Sequence, residues 1–218
     1  MLHTIDCMPA QSEYNPGDVA DFSFQSGQLT PEQILKLQFF DGFLTHQETG
    51  NEIKLLFAEL LEGTLRLGIS SNIPTGHYTV SAAYNMPTSE MDVWQFVTVK
   101  PIQIGDQPFV ETKPVIQTIN LTTGGNIIHK DHLDTTVLAI HGENLQLIDS
   151  VTITMPFRLS VLRVVSSPNL LTLRCLSGQA ERFRPGMGIL QMHYHSFNEQ
   201  GSPVVDTLMV TGKVRFQD

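Results

Sequence analysis

DFSFQSGQLTPEQILKLQFFDGF (residues 21–43) and VLAIHGENLQLIDSVTITMPF (residues 137–157) run through the same parts in the same order. Each has an alternating apolar strand, a Gly, a polar residue, a Leu, a short polar turn, a second alternating strand and a Phe. A repeat of this kind constrains the architecture before any single strand is argued. Setting Gly27 against Gly142 gives an offset of 115, and setting Leu35, Leu37 and Phe39 against Val151, Ile153 and Met155 gives 116. The likeness continues in LRLGISSNIPTGHYTVSAAYN (65–85) and LTLRCLSGQAERFRPGMGILQMHYH (171–195), where Val80, Ala82 and Tyr84 answer Leu190, Met192 and Tyr194.

Within each copy apolar residues recur at every second position, so they share one face of a pleated strand while Lys36, Gln38, Thr152 and Thr154 take the other. Gly and Pro punctuate the strands at the spacing expected of many short antiparallel strands. The reading is an all-β chain of two tandem immunoglobulin-like antiparallel β-sandwich domains, at 1–105 and 106–218. Three prolines, Pro101, Pro108 and Pro114, mark an extended connection, with the first strand of the second copy starting near Val115. The last strands are expected in VWQFVTVK (93–100) and VVDTLMVTGKVRF (204–216). One segment, NEIKLLFAELLEG (51–63), admits two readings. Ile53, Leu56, Phe57 and Leu60 fall at helical spacing, with Asn51 to cap and Gly63 to stop. The repeat favours a strand, a turn at Glu62-Gly63 and a second strand.

PVIQTIN (114–120), TTGGNIIH (122–129) and LAIHGENL (138–145) together resemble the opening of an IPT/TIG domain. The resemblance extends over about 114–214, and more loosely over 10–100, where YNPGDVADFSFQSGQL lacks the Asn and the Gly pair. It implies an immunoglobulin-like fold of the kind found in receptors, bacterial surface proteins, some carbohydrate-active enzymes and some transcription factors. No shared catalytic residue comes with it, and fold alone selects no function.

Length and composition agree with a folded chain: 218 residues, 41% hydrophobic, 16% charged and twelve Phe. A formal charge of -9 opposes phosphate backbones and anionic lipid surfaces, so neither nucleic acid nor membrane insertion is expected. The first twenty residues lack a basic start and an apolar signal core, which points to the cytoplasm or to delivery as part of an assembly. Cys7 and Cys175 lie in opposite halves and are read as free thiols, Cys175 facing a core beside Leu171 and Leu173.

Candidate chemistry is sparse. His129, His132, His193 and His195 are the nitrogen ligands on offer for a transition metal. Alternation puts His193 and His195 on one solvent-facing side of a strand, where solvated surface histidines are the plainer reading, and no cofactor is implied. Ser, His and Asp are plentiful, but no Gly-x-Ser-x-Gly elbow occurs. The carboxylate pairs Glu59 with Glu62 and Asp106 with Glu111 read as loop charges, and GGNIIH as a turn. No enzymatic activity is expected. The leading expectation is a structural or protein-interaction module, self-associating or binding another protein through sheet edges. The alternative is carbohydrate recognition, with Trp94, Tyr84 or Tyr78 as stacking platforms and Asp131, Asp134 and Glu143 as polar or calcium contacts. It requires those rings to be exposed, whereas the plainer reading puts Trp94 in the core. A third reading, DNA binding through Arg158, Arg163, Arg174, Arg182 and Arg184, is set against the net negative charge.

Overall fold

Period-two alternation of apolar side chains produces strands throughout the computed structural model, which describes residues 1–25, 27–87, 89–176 and 178–218, and at 89–91 and 165 the strand backbone. Ten strands precede residue 105: β1 (Leu2–Pro9), β2 (Glu13–Tyr14), β3 (Val19–Ser23), β4 (Gln38–His46), β5 (Glu52–Lys54), β6 (Glu59–Leu61), β7 (Thr64–Gly68), β8 (Gly76–Met86), β9 (Ser89–Thr98) and β10 (Ile102–Ile104). Eight follow: β11 (Val115–Leu121), β12 (Ile127–His129), β13 (Val137–Glu143), β14 (Ile148–Met155), β15 (Leu159–Ser166), β16 (Leu170–Cys175), β17 (Gly186–Phe197) and β18 (Pro203–Gln217). The chain is all-β apart from the six-residue helix α1 (Pro31–Lys36) and three short 3-10 turns among the described residues. No helix among the described residues is long and apolar enough to cross a membrane.

Contacts divide the chain into two units, Met1–Thr112 with Phe197–Val204, and Lys113–Ser196 with Val205–Asp218. The division falls at 112/113: of the connecting prolines, Pro101 and Pro108 lie in the first unit and Pro114 in the second. Val110 donates its amide to the Pro16 carbonyl, and the Thr112 hydroxyl donates to the Gly17 carbonyl at 2.6 Å. Residues 197–204, far away in sequence, also belong to the first unit, where the Ser71 amide donates to the Glu199 carbonyl.

In the first unit the strand order is β2-β10-β8-β9-β1-β3-β7-β6, with β4 on β8 and β5 on β4. Strand β1 makes this continuous. Its residues Leu2–Cys7 run parallel to β9, and Met8 and Pro9 then pair antiparallel with β3. Inward-facing Phe22, Leu65, Leu67, Tyr78, Val80, Ala82, Tyr84 and Phe96 form its core. In the second unit the order is β11-β13-β16-β15-β14-β17-β18-β12. Here β15 bridges, pairing with β14 at Leu159 and Ser160 before it passes to β16. Leu138, Ile140, Ile153, Leu171, Leu173, Leu190, Met192 and Phe216 are buried within it.

Residues 51–63 contain no helix: β5 and β6 occupy them, and β6 turns into β7 at Glu62-Gly63, with Gly63 at φ 72°. The strand expected through Leu35 and Leu37 is corrected. Residues 31–36 are helical because Thr30 and Gln33 form a reciprocal capping box and Pro31 opens the first turn. Leu35 is therefore 87% exposed, Leu37 is buried, and the strand that pairs with β8 starts only at Gln38.

Both cysteines are free and buried. Burial removes water from the thiolate, and the carboxylate of Asp6 adds to the effect at Cys7, so the Cys7 thiol is pushed up to about 12. Cys175 is pushed up to about 11, again first by burial and then by Asp134. Neither thiol is expected to react with a disulfide reagent in the native protein at mildly alkaline pH. Both react on addition of denaturant, and a thiol titration before and after unfolding checks this.

Candidate functional site

The three aromatic residues that would carry sugar stacking all point inward. Trp94 on β9 is 8% exposed, and the His3 ring is stacked on it at 4.9 Å between centroids and 14° between planes. This follows from register, since β1 lies parallel to β9 with His3 opposite Trp94. Tyr84 is enclosed edge-on by Phe39 and Phe96, and its hydroxyl donates to the Ala58 carbonyl at 2.6 Å. Its ionisation is pushed far up by that burial. Tyr78 is buried with its hydroxyl donating to the Pro74 carbonyl at 2.8 Å and the His46 ring against its edge. The platform reading of Trp94, Tyr84 and Tyr78 is thereby corrected. Exposing any one of these rings would forfeit the burial of a large apolar side chain, roughly 1.5–3 kcal/mol.

The paired histidines of β17 are also corrected. His193 is half-buried, and its Nδ1 lies 2.9 Å from the Thr207 hydroxyl on β18. His195 is only 9% exposed, and its Nδ1 lies 3.0 Å from Asp149 on β14. Alternation fails here because His195, Ser196 and Phe197 are buried in succession at the end of β17. The two imidazoles are thus each committed to a different neighbouring strand. Among the described residues no three His, Cys, Asp or Glu side chains come together as a metal set. His129 and His132 are exposed and line a cleft of about 320 Å³ with Leu121, Thr122, Ile127 and Val137. The hydroxyls of Thr135 and Thr136 at its wall are spent on the His132 carbonyl.

Of the five arginines considered together, all are exposed. Arg163 donates to the Ile148 carbonyl at 2.6 Å and Arg184 to the Phe183 carbonyl at 2.7 Å. The remaining features are apolar. In the first unit Ile34, Leu37, Phe39, Phe57 and Leu60 line a shallow groove of about 490 Å³ beside α1.

The sheet edges differ between the units. In the first unit β2, β5 and β6 are two or three residues long and carry Glu13, Glu52, Lys54 and Glu59. Short, charged edges discourage the pairing of another strand. In the second unit β18 is fifteen residues long, and β12 pairs with it only at Arg215–Gln217. Ahead of that, the run Thr207–Gly212 carries no charge, and Val205 and Met209 are 73% and 51% exposed on the outward face. Asp206 stands at the start of this stretch. Its carboxyl is held below the usual carboxylate range by the Thr207 amide and then by the Tyr194 hydroxyl. Reading the sequence alone finds the strand but not its edge position; the signal was the uncharged run between Asp206 and Lys213.

No protein-family model matches the chain, and no curated protein matches it. Solved structures align along nearly all of it at low similarity. SGBP-B of the Bacteroides ovatus mixed-linkage glucan utilization locus, in complex with a mixed-linkage heptasaccharide, aligns at 15% identity, with 96% of this chain and 46% of that chain covered and a TM-score of 0.26. A tetra-tandem repeat in the extending region of a large adhesion protein aligns at 15% identity, with 95% and 48% covered and a TM-score of 0.29. Murine CEACAM1b aligns at 9% identity, with 98% and 100% covered and a TM-score of 0.26. The chain spans about half the length of the first two.

Proposed function

We propose that this chain is a non-catalytic assembly or protein-interaction module made of two immunoglobulin-like sandwiches of the IPT/TIG kind. Two features of each unit support the sandwich reading. In both, a bridging strand carries one sheet over into the other, and the same pairings recur: Phe22 with Leu65 and Leu44 with Val80 in the first, Ile140 with Leu171 and Ile153 with Leu190 in the second. The parallel pairing of β12 with the end of β18 supports it further.

The observation that carries the functional reading is the contrast in edges. One unit has short, charged edges, while the other carries a long strand whose open stretch is uncharged and studded with exposed Val205 and Met209. Main-chain groups along such a strand supply affinity for an added strand without any pocket. The aromatic side chains that a sugar-binding face would need are spent on the core instead.

The test pairs a glycan array with a panel of chromogenic glycoside, ester and peptide substrates. The expected result is no saturable glycan binding and no turnover above buffer. Glycan binding, or turnover that titrates with protein, overturns the reading in favour of a lectin or an enzyme.

A further inference from the structure

We propose that β18 pairs antiparallel with β18 of a second copy of this chain, about a twofold axis near Met209, joining the two sheets edge to edge. This deepens the interaction reading by naming its surface and its partner.

The open stretch sets the register. β12 claims the edge of β18 from Arg215 onward, where Ile127, Ile128 and His129 lie opposite Arg215, Phe216 and Gln217. The second unit's share of the strand begins at Val205. The segment between, 205–213, has Met209 at its midpoint. Strands that pair about a twofold perpendicular to the sheet keep each residue on its own face, so Met209 meets Met209, Thr207 meets Thr211 and Val205 meets Lys213. Those are the residues of the outward face, and all are exposed. Threonine pairs and apolar pairs of this kind stabilise an antiparallel ladder.

Charge favours a second copy over an unrelated strand. The stretch opens on Asp206 and closes on Lys213 and Arg215, with no charge between Thr207 and Gly212. In this register Lys213 of each copy stands beside Val205 of the other, with Asp206 next along on the opposite face, so unlike charges gather at the same end of the ladder and no like charges meet, whereas a parallel pairing in register would set like charges side by side. This local complementarity also offsets part of the repulsion expected between two chains of formal charge -9.

The other long edge of the same unit is a poorer template. β11 follows Pro114, and its ladder with β13 slips register between Ile116 and Thr118, an irregularity that bends a strand away from straight pairing. Gly212, at φ 71°, marks the end of the regular run in β18 itself, just before β12 takes over.

The experiment is light scattering and sedimentation on the full chain over a micromolar concentration series, with Met209→Lys as the disrupting variant. Met209 is exposed, so the substitution leaves the core in place, and unchanged circular dichroism and melting confirm that the variant folds. A second arm uses Met209→Cys under mild oxidation against Leu162→Cys, an exposed residue elsewhere in the same unit. The native thiols are buried and do not compete.

The expected result is a dimer whose dissociation constant rises by about tenfold or more in Met209→Lys, where two like charges meet at the axis. A disulfide-linked dimer forms from Met209→Cys and not from Leu162→Cys. A monomer across the series overturns the inference, as does a dimer unaffected by Met209→Lys, or equal cross-linking of both cysteine variants. A monomer leaves the interaction-module reading standing, since that reading falls only on glycan binding or turnover.

Discussion

Phe96→Ala is expected to destabilise the first unit by about 3–5 kcal/mol, read as a lowered denaturation midpoint. Phe96 is fully buried at the centre of an aromatic cluster, with Phe24 at 5.2 Å and Tyr84 at 5.4 Å, both edge-on. It lies opposite Ala82 on β8, and so small a partner cannot expand into the space vacated by the ring. Tyr84 cannot follow the cavity either, because its hydroxyl is tethered to the Ala58 carbonyl. Both constraints favour the upper part of the range, where a site fails to collapse around the deletion. Phe40→Ala provides the contrast. That ring is 49% exposed on the same unit, and its removal is expected to change stability by less than about 1 kcal/mol. Comparable losses in the two variants would mean that the Phe96 cluster is not the packed centre described here.

The residues that alternate strictly were the legible ones. Leu65 and Leu67 with Leu171 and Leu173, and Val80, Ala82 and Tyr84 with Leu190, Met192 and Tyr194, all face their unit's interior as the repeat requires. The error lay between Gly27 and β4. By sequence Leu37 answers Ile153, whereas by strand pairing Leu44 does, since Leu44 lies opposite Val80 and Ile153 opposite Leu190. The seven residues separating Leu37 from Leu44 reflect α1, announced by Thr30-Pro31-Glu32-Gln33 but masked by the alternation of Leu35, Leu37 and Phe39. Gly27 and Gly142 also serve different ends. Gly27 sits at φ 95° with open space where a side chain would be, while a Cβ on Gly142 would fall 1.9 Å from the Val115 carbonyl oxygen.

The fate of the candidate site was less legible, for a physical reason. Alternation says which face a side chain takes but not what lies over that face. Trp94 is covered by His3 because β1 adds parallel to β9, a pairing between the beginning of the chain and residues 93–98 that no local pattern encodes. The same alternation that places Tyr194 in the core assigns His195 to solvent, yet both are buried. Edge status is of the same kind: β18 was found as a strand, but which of its flanks stays open depends on where β12 stops.

Asp21→Ala is expected to cost about 3 kcal/mol or more, an effect out of proportion to a residue whose side chain is 24% exposed. The cause is its partner. Arg66 on β7 is only 4% exposed and is held by both Asp21 oxygens, Nε to Oδ1 at 2.7 Å and Nη2 to Oδ2 at 3.0 Å. The register makes the pair, because Asp21 on β3 lies directly opposite Arg66, and Glu59 on β6 lies opposite it on the other side. Removing Asp21 leaves a guanidinium buried without its fork-shaped acceptor, and Glu59 offers a single carboxylate from the flank. Replacing the cation instead, as Arg66→Met, removes the buried charge and fills much the same volume, so its cost is expected to be smaller than that of Asp21→Ala. The double variant Asp21→Ala/Arg66→Met is expected to be more stable than Asp21→Ala alone, because the second change removes the buried charge whose two-oxygen acceptor the first took away. Chemical denaturation of the three variants and the wild type closes this cycle. A double variant less stable than Asp21→Ala would mean that Arg66 contributes chiefly through the packing of its stem between β3 and β6, and that its charge is already satisfied without Asp21.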